Sequence, residues 1–492
     1  MERCSPIIPK ISVIGLDGMN WSYLEKIFET GSMPYTKNLI NKSQKYVLQS
    51  TFPPMSYPSW LSIMTGVNPG KHGIFGFTFV DRTLWESKVF NTLHLEHPRI
   101  HEILAMIKIK SIMINPMPGY PIIPLDGTHV ISDVFVPRTI YYPSIMEKYA
   151  NILTDNKAKK GSYIEETLDK HMKYLSIVED TVDKLSWSLY WITLRQPDEA
   201  THKSPRDVLR LSHGLRRVFK IIDKIIETLA LRSDIVVIVS DHGFKMCKYG
   251  ISINDILLKH GFVCLKKSLS SRESSRTAMF LAATKFVQKI PPLARFARDI
   301  YIKLSLKFRF KTYYKQPDFS CSQAFMHSAS SFGVYVKSPT ILSEVKAVLL
   351  KYKGIKWVKQ PNHIYQGPYL ARAPDLLIMP DLDRDFKLAS SNIHGTEYIA
   401  MNEFEHYPEG IFSIYSSEVN LAKTIRKVPA WTVAQLILTF LGVPISHLSD
   451  DTAILNKITS ESVRIKTYNY TKKWELVKKV FYLKRKIHPK IT

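Results

Sequence analysis

Five side chains with metal-ligand chemistry follow apolar runs in this sequence. In ISVIGLDGMN, Asp17 comes after the run Ile11 to Leu16, and Gly18 permits a tight turn behind it. In SLYWITLRQPDEATH, Asp198 and His202 follow the apolar part, and in DIVVIVSDHGF the β-branched run Ile235 to Val239 precedes Asp241 and His242. Carboxylate oxygens and neutral imidazole nitrogens suit zinc or a similar divalent ion. A mixed Asp/His set is commoner in hydrolytic centres than in structural ones, which favour cysteine. Singly, each acid reads equally well as a helix cap or turn residue. Brought together, the carboxylates would repel one another unless cations neutralised them. A hydroxyl-rich stretch, STFPPMSYPSWLSIMTGVNPGKHG at 50–73, adds candidate nucleophiles. Ser56 stands where a helix can begin, since Pro58 is tolerated in a first turn, and a helix start favours an anion. A Ser56 that only caps the helix fits the same local pattern.

The elements that must hold these residues are strands alternating with helices. The runs at Asp17, Asp198 and Asp241 have strand length, while VLRLSHGLRRVFKIIDKIIETLALR, from Val208, repeats apolar residues with a helical period. A second helical stretch, YIEETLDKHMKYLSIVEDTVDKL, begins at Tyr163. The alternation predicts an α/β fold, a mostly parallel sheet covered by helices on both faces. Ligand groups in such sheets collect at the carboxyl ends of the strands.

Several blocks carry a family resemblance: DGMN at 17–20, SYPSWLSIMTGVNPGKHGIFGF at 56–77, PDEATH at 197–202, SDHGF at 240–244 and HYPEGIF at 406–412. YQGPYLARAPDLLI, from Tyr365, and VPAWTVAQLILTFLGVPIS, from Val428, extend it. The sequence resembles the alkaline phosphatase superfamily, in its type I phosphodiesterase and nucleotide pyrophosphatase branch, including microbial phosphohydrolase or phosphomutase relatives. The resemblance implies one catalytic domain over 8–460 with insertions near the active site. It also selects Ser56 as nucleophile, because Tyr57, Pro58 and Thr65-Gly66 are in the family's register, whereas Thr51 lies too far upstream. By the same resemblance, Asp17, Ser56, Asp241 and His242 would hold one divalent ion. Asp198, His202 and a third histidine would hold another, about 4 Å away. Zinc is the expected metal, with manganese as an alternative. Contact with such an ion lowers the effective pKa of a serine hydroxyl, and a phosphoseryl intermediate would follow. The third histidine is His406, in EFEHYPEGIFSIY, with His394, in SSNIHGTEYIA, as the alternative.

Three positions depart from the family pattern. Phe77, in HGIFGF, stands where the nucleotide pyrophosphatases carry an Asn that contacts a phosphoryl oxygen, so Lys71 or a backbone amide is the candidate replacement donor. Trp60 stands where the sulfatases require Arg, which disfavours a sulfatase. Thr201 replaces the glycine usual before the histidine of PDEATH. The implied activity is metal-dependent hydrolysis of a phosphodiester or phosphomonoester, on a small molecule or a lipid head group. A phosphomutase or phosphotransferase is the nearest alternative, and a catalytically inactive basic binding scaffold is the alternative from another class.

The 492 residues suffice for one large domain with insertions or for two or three smaller ones. With 45% apolar and 23% charged residues, the composition is that of a globular protein. A formal charge of +25 would attract phosphate esters, nucleic acid or anionic lipid without specifying chemistry. Cys4, Cys247, Cys264 and Cys321 include no CxxC pair and do not suggest a disulfide framework. MERCSPIIPKISVIG lacks the pattern of a signal peptide, and no run has the length of a membrane span, so the expected location is cytoplasmic, with peripheral membrane contact as an option. Two basic segments leave alternatives open. Residues 268–316 read as a helical insertion, a lid or a membrane-edge contact. The tail at 461–492 interleaves Tyr468, Tyr470, Trp474, Phe481 and Tyr482 with Lys and Arg. It fits contact with an anionic membrane surface or with nucleic acid, or a helix packed on the catalytic domain. Specific nucleic-acid binding is disfavoured, since no zinc finger or recognition-helix pattern is present.

Overall fold

The computed structural model describes residues 8–136, 138–155, 162–266, 316–417, 426–459 and 465–487. Its centre is a nine-stranded sheet. In spatial order the strands are Lys427–Pro429, Gln44–Gln49, Glu409–Ser416, Ile235–Val239, Ile11–Leu16, Leu189–Leu194, Ser111–Ile114, Thr128–Ser132 and Ile140–Tyr142. The five from Ile235–Val239 to Thr128–Ser132 run parallel, and Glu409–Ser416 and Ile140–Tyr142 flank them antiparallel. The sheet is therefore mixed, with the parallel part at its centre.

The three central strands are fully buried because both faces are covered. Alternate side chains serve opposite cores. Ile14, Leu16, Ile192 and Ile238 join one apolar cluster with Tyr174 and Ile177 of the helix Tyr163–Lys184 and Phe219 and Ile222 of the helix His213–Ala230. Val13, Trp191 and Val237 join another with Trp60, Ile63 and Met64 of the helix Ser56–Thr65 and Val433, Leu436 and Ile437 of the helix Thr432–Phe440. Gly15 permits the second packing. A Cβ there would stand 2.5 Å from Cη2 of Trp60, so only glycine lets the helix carrying Ser56 lie so close to the central strand.

The helical pattern from Val208 is interrupted in the structure. The helix Pro205–Arg210 ends at Leu211, whose φ of +46° is left-handed, and Ser212 caps the next helix by accepting from the Leu215 amide. Apolar periodicity runs through this junction and conceals it.

A third apolar cluster surrounds a four-stranded sheet of Ala324–Phe325, Gly333–Val336, Leu376–Pro380 and Ile355–Lys359. A three-stranded sheet, Phe386–Leu388, Gly243–Ile251 and Tyr398–Tyr407, stands at the active edge. Its strand Gly243–Ile251 begins one residue after His242, and Phe244 pairs with His406.

Cys264 and Cys321 form a single disulfide, and Cys247 is free and buried. A separation of 57 residues hid the pairing from spacing rules. No helix among the described residues is long and apolar enough to cross a membrane. The basic segment expected at 268–316 lies outside the described residues, Gln316 excepted. The tail forms a helix, Thr471–Ile487, that docks on the catalytic unit through Trp474 and Phe481.

Candidate active site

The strands ending before Asp17, Asp198 and Asp241 are parallel neighbours, so the three acids leave the same edge of the sheet. The turns after them are tied together. The Asp198 amide donates to the Asp17 carbonyl at 3.0 Å, the Gly18 amide to Asp241 Oδ1 at 3.2 Å, and the Met19 amide to Ser240 Oγ at 2.8 Å. Gly18 has a φ of +75°, and a Cβ on it would meet Cβ of Asp198 at 2.8 Å. Glycine is needed there twice over, for the turn and for the approach.

Two histidines complete the cluster with their tautomers fixed. His242 donates from Nδ1 to the Gly243 carbonyl at 3.0 Å, and His406 donates from Nδ1 to the Pro54 carbonyl at 3.0 Å. Each ring therefore turns a lone pair on Nε2 toward the carboxylates. His242 Nε2 lies 3.2 Å from Asp241 Oδ2, and His406 Nε2 lies 3.2 Å from Asp198 Oδ1. The rings stack with centroids 3.9 Å apart. His202 is at the rim, half exposed, with Nε2 3.4 Å from Asp198 Oδ1 and 3.2 Å from His406 Nε2.

Asp17, Asp241 and His242 form one potential metal-binding group, and Asp198, His242 and His406 form a second. In each, the ligand atoms lie within 4.8 Å of one another. Asp17 Oδ2, Asp198 Oδ1 and Asp241 Oδ2 are buried and accept no hydrogen bond among the described residues. Buried carboxylate oxygens left this way are costly, and divalent cations would satisfy them. The donor set fits two ions.

His394 is placed differently. It borders the same cavity, but its Nε2 is 3.0 Å from Ser390 Oγ, and its amide donates to Asp255 Oδ2 at 2.7 Å. The carboxylate cluster is met by His406.

Ser56 is the first residue of its helix. The N-cap is Met55, without a side-chain cap bond, so the Ser56 hydroxyl does not cap. It points to the cluster instead, with Oγ 3.5 Å from both Asp17 Oδ1 and His242 Nε2. Thr51 is excluded from this role, since its hydroxyl donates to the Pro53 carbonyl at 3.1 Å and meets Ser59 Oγ at 2.9 Å.

The electrostatics match a site built for cations. Burial, reinforced by Asp241, holds the Asp17 carboxyl well above the usual range. Burial and the nearby Asp198 push Asp241 up to about 7. Burial also opposes ionisation of Asp198, but the neighbouring His202 and His406, with Arg195, outweigh it and hold that carboxyl well below its ordinary value. His242 is driven well below the imidazole range by burial and by His406. Two acids that resist ionisation beside a neutral imidazole lack positive charge.

Part of that charge comes from Arg195, which the sequence reading passed over. It follows the strand Leu189–Leu194 directly, three residues before Asp198. Its Nη2 donates to Asp198 Oδ2 at 3.2 Å, and Nη1 lies 3.4 Å from Asp17 Oδ2. The guanidinium sits 4.3 Å from the ring centre of Phe135, and Nη1 makes no hydrogen bond among the described residues. The available signal was an arginine at a strand's carboxyl end beside a ligand motif.

Ser56, Arg195, Asp198, His202 and His406 line a cavity of about 630 Å³, whose apolar walls include Phe77, Phe135, Phe332, Leu388 and Met401. Phe77 packs tilted against Tyr57 and edge-on to Phe135 as part of the wall. Lys71 is not in this lining. It pairs with Asp450 and donates to the Leu448 carbonyl at 2.8 Å, so the structure does not bring it to the cavity with Ser56. Thr201 is accommodated within the short helix Asp198–Lys203, its hydroxyl donating to the Asp198 carbonyl at 2.7 Å.

Residues 12–392 match the family described as type I phosphodiesterase / nucleotide pyrophosphatase. The chain belongs to this family. Its place in the alkaline phosphatase superfamily follows, and with the two ligand clusters it is a metal-dependent hydrolase of the phosphodiesterase and phosphatase type. The fold is shared with phosphonoacetate hydrolase from Sinorhizobium meliloti 1021, solved in complex with phosphonoformate, at a TM-score of 0.58 and 14% identity over 88% of this chain and 96% of that one. It is shared also with an inactive form of murine ectonucleotide pyrophosphatase / phosphodiesterase 5 in complex with AMP, at a TM-score of 0.53 and 13% identity over 92% of this chain and all of that one. No curated protein matches the sequence.

Proposed function

We propose that this phosphodiesterase-family protein hydrolyses a phosphate ester through a phosphoseryl intermediate on Ser56. The observation that carries this reading is the Ser56 hydroxyl, released from capping and set at a helix start, 3.5 Å from ligands in the carboxylate and histidine cluster. Asp17, Asp241 and His242 would hold one divalent ion with Ser56, and Asp198, His202 and His406 a second, zinc being favoured by the nitrogen and oxygen donors. Such ions would lower the pKa of the serine hydroxyl and neutralise the carboxylates. Ser56 Oγ forms a bond to phosphorus as the bond to the leaving oxygen breaks, and the departing alcohol takes up a proton. Water then attacks the phosphoserine, restoring the hydroxyl and releasing phosphate or a phosphomonoester. Free amides at the helix start favour the anion throughout. Arg195 adds a fixed positive charge for the non-bridging oxygens, the part left vacant by Phe77. The aromatic walls favour an ester with an apolar or planar group over inorganic phosphate alone. An alcohol acceptor in place of water would make the same intermediate a phosphotransferase.

The test combines metal analysis with hydrolysis of p-nitrophenyl phosphate and bis-p-nitrophenyl phosphate. Two divalent ions per chain are expected, with turnover abolished in Ser56→Ala and metal content retained. His406→Asn should lower metal content, and His394→Asn should leave it unchanged. Metal-free protein after zinc and manganese loading, or turnover that survives Ser56→Ala, contradicts the reading.

A further inference from the structure

The helix Thr471–Ile487 is apolar on two opposite faces, and only one of them is covered by the described residues. The inner face is anchored. Trp474 is fully buried and Phe481 nearly so, packed with Ile123 and the partly buried Leu93, Met106 and Val477. The Trp474 indole donates to the Leu95 carbonyl at 3.0 Å, and the Lys478 ammonium donates to that carbonyl and to Glu96 Oε2, each at 2.8 Å. These contacts fix the rotation of the helix. Leu476, Val480 and Leu483 then point outward at the i, i+4, i+7 spacing that makes one stripe, and they are 61%, 44% and 60% exposed. A solvated helix face has no need of three large aliphatic side chains in register, and a stripe of this kind marks an interaction surface.

The borders of the stripe identify what it meets. Lys472, Lys479 and Lys486, seven residues apart, form an exposed row along one side, and Lys484 is exposed on the other. Lys473, also exposed, donates to the Met106 carbonyl at 2.9 Å. That carbonyl begins a turn carrying the exposed Ile107 and Lys108, so the apolar and basic surface continues past the start of the helix. Glu475 is the one acid of the helix.

We infer that this outer face is a docking surface for an anionic lipid bilayer, on which the helix lies in the interfacial plane with Leu476, Val480 and Leu483 inserted and the lysines at head-group level. The pattern of apolar stripe and flanking lysines matches what such a surface offers, an apolar layer beneath a negatively charged one. Lysine stems of this length let the charge remain at the head groups while the methylenes follow the apolar residues inward. Nucleic acid would satisfy the lysines but give the leucines no apolar partner. A second copy of the chain, paired through the same face, would bury the leucines but bring the lysine rows together at a charge-repelling distance. The bilayer satisfies both parts of the surface. The inference does not depend on the chemistry at Ser56, and the surface carries no group of the active site.

The test uses the full chain and sedimentation with vesicles of phosphatidylcholine alone or of phosphatidylcholine with phosphatidylglycerol. Binding is expected to the second kind only and to weaken as salt is raised. Leu476→Ser combined with Leu483→Ser should lower partitioning by about tenfold. Lys472→Glu with Lys479→Glu should lower it at least as much. Both pairs are exposed, so thermal stability and hydrolysis of a soluble ester should match the parent chain. Equal binding to both vesicle kinds, no binding to either, or variants that bind like the parent would overturn the inference. So would a dimer in sedimentation equilibrium that the leucine variants dissociate, which would give the face to a second copy.

Discussion

At the residue scale, the chemistry depends on side chains that have lost their ordinary structural partners. Ser56 begins a helix without capping it, and three acids each keep a buried oxygen without a hydrogen bond among the described residues. Arg195 is the exception, a cation held by two of those acids with one nitrogen still free of hydrogen bonds among the described residues. If it binds the phosphoryl oxygens, Arg195→Met should lower kcat/KM by roughly 100- to 1,000-fold, the usual effect of losing one preorganised donor. Arg195→Lys should recover part of the loss, and metal content should not fall in either variant. Steady-state kinetics with elemental analysis checks this, and loss of metal in Arg195→Met would make the residue a support for the ligands instead. Asp17, Asp198, Asp241, His202 and His242 were legible as candidates because strand-end positions are local properties, and Ser56 only through the family resemblance. Arg195 was not, since an arginine after a strand reads as solvated until the fold shows which acids flank it. The pairing of Lys71 was hidden for the converse reason, because Asp450, its partner, is remote in sequence.

At the element scale, continuous apolar runs disclosed the central parallel strands, which are covered on both faces. The antiparallel flank of the sheet was hidden. Gln44–Gln49 pairs with Glu409–Ser416 across most of the chain, and no local pattern encodes such a partner. His406 comes in on the strand Tyr398–Tyr407 through its pairing with the remote strand Gly243–Ile251, which explains why the third histidine was the open question in the sequence. One packing contact carries particular weight for the site, the approach of Trp60 to Gly15. Gly15→Ala should destabilise the protein by about 1–3 kcal/mol through overpacking and displace the helix that holds Ser56. Urea unfolding measures the first effect and ester hydrolysis the second. An unchanged midpoint would show that Trp60 relaxes freely and that the close approach does not fix the helix.

At the scale of the whole molecule, several histidines remote from the metal ligands are buried neutral. Burial lowers His72 to about 3 and His97, His171 and His327 to about 4. In the unfolded chain these imidazoles titrate near 6.5, so between about 4 and 6.5 the unfolded state binds protons that the folded state excludes. Stability therefore falls as the pH drops through that window, by up to roughly 1.4 kcal/mol per pH unit for each histidine. His97 donates from Nδ1 to the Pro98 carbonyl and meets Ser446 Oγ through Nε2 at 2.8 Å. Denaturant midpoints measured from pH 7 to 4.5 should decline, and His97→Gln should decline less steeply. A variant with the parent's slope would remove His97 from the account. The general basicity of the chain was plain from composition, but its arrangement was not. Only the docked helix shows that lysines and leucines share one outer face, whereas the disulfide joins cysteines too distant for spacing to pair.

The central claim is that Ser56 carries the phosphoryl group during turnover. Acid quenching of the metal-loaded protein during hydrolysis of bis-p-nitrophenyl phosphate, followed by peptide mass spectrometry, tests it directly. The account predicts the added mass of a phosphoester group on the peptide containing Ser56, absent before substrate and absent in Ser56→Ala. Sustained turnover with that peptide unmodified at every quench time, together with activity remaining in Ser56→Ala, would contradict it and assign the attack on phosphorus to water.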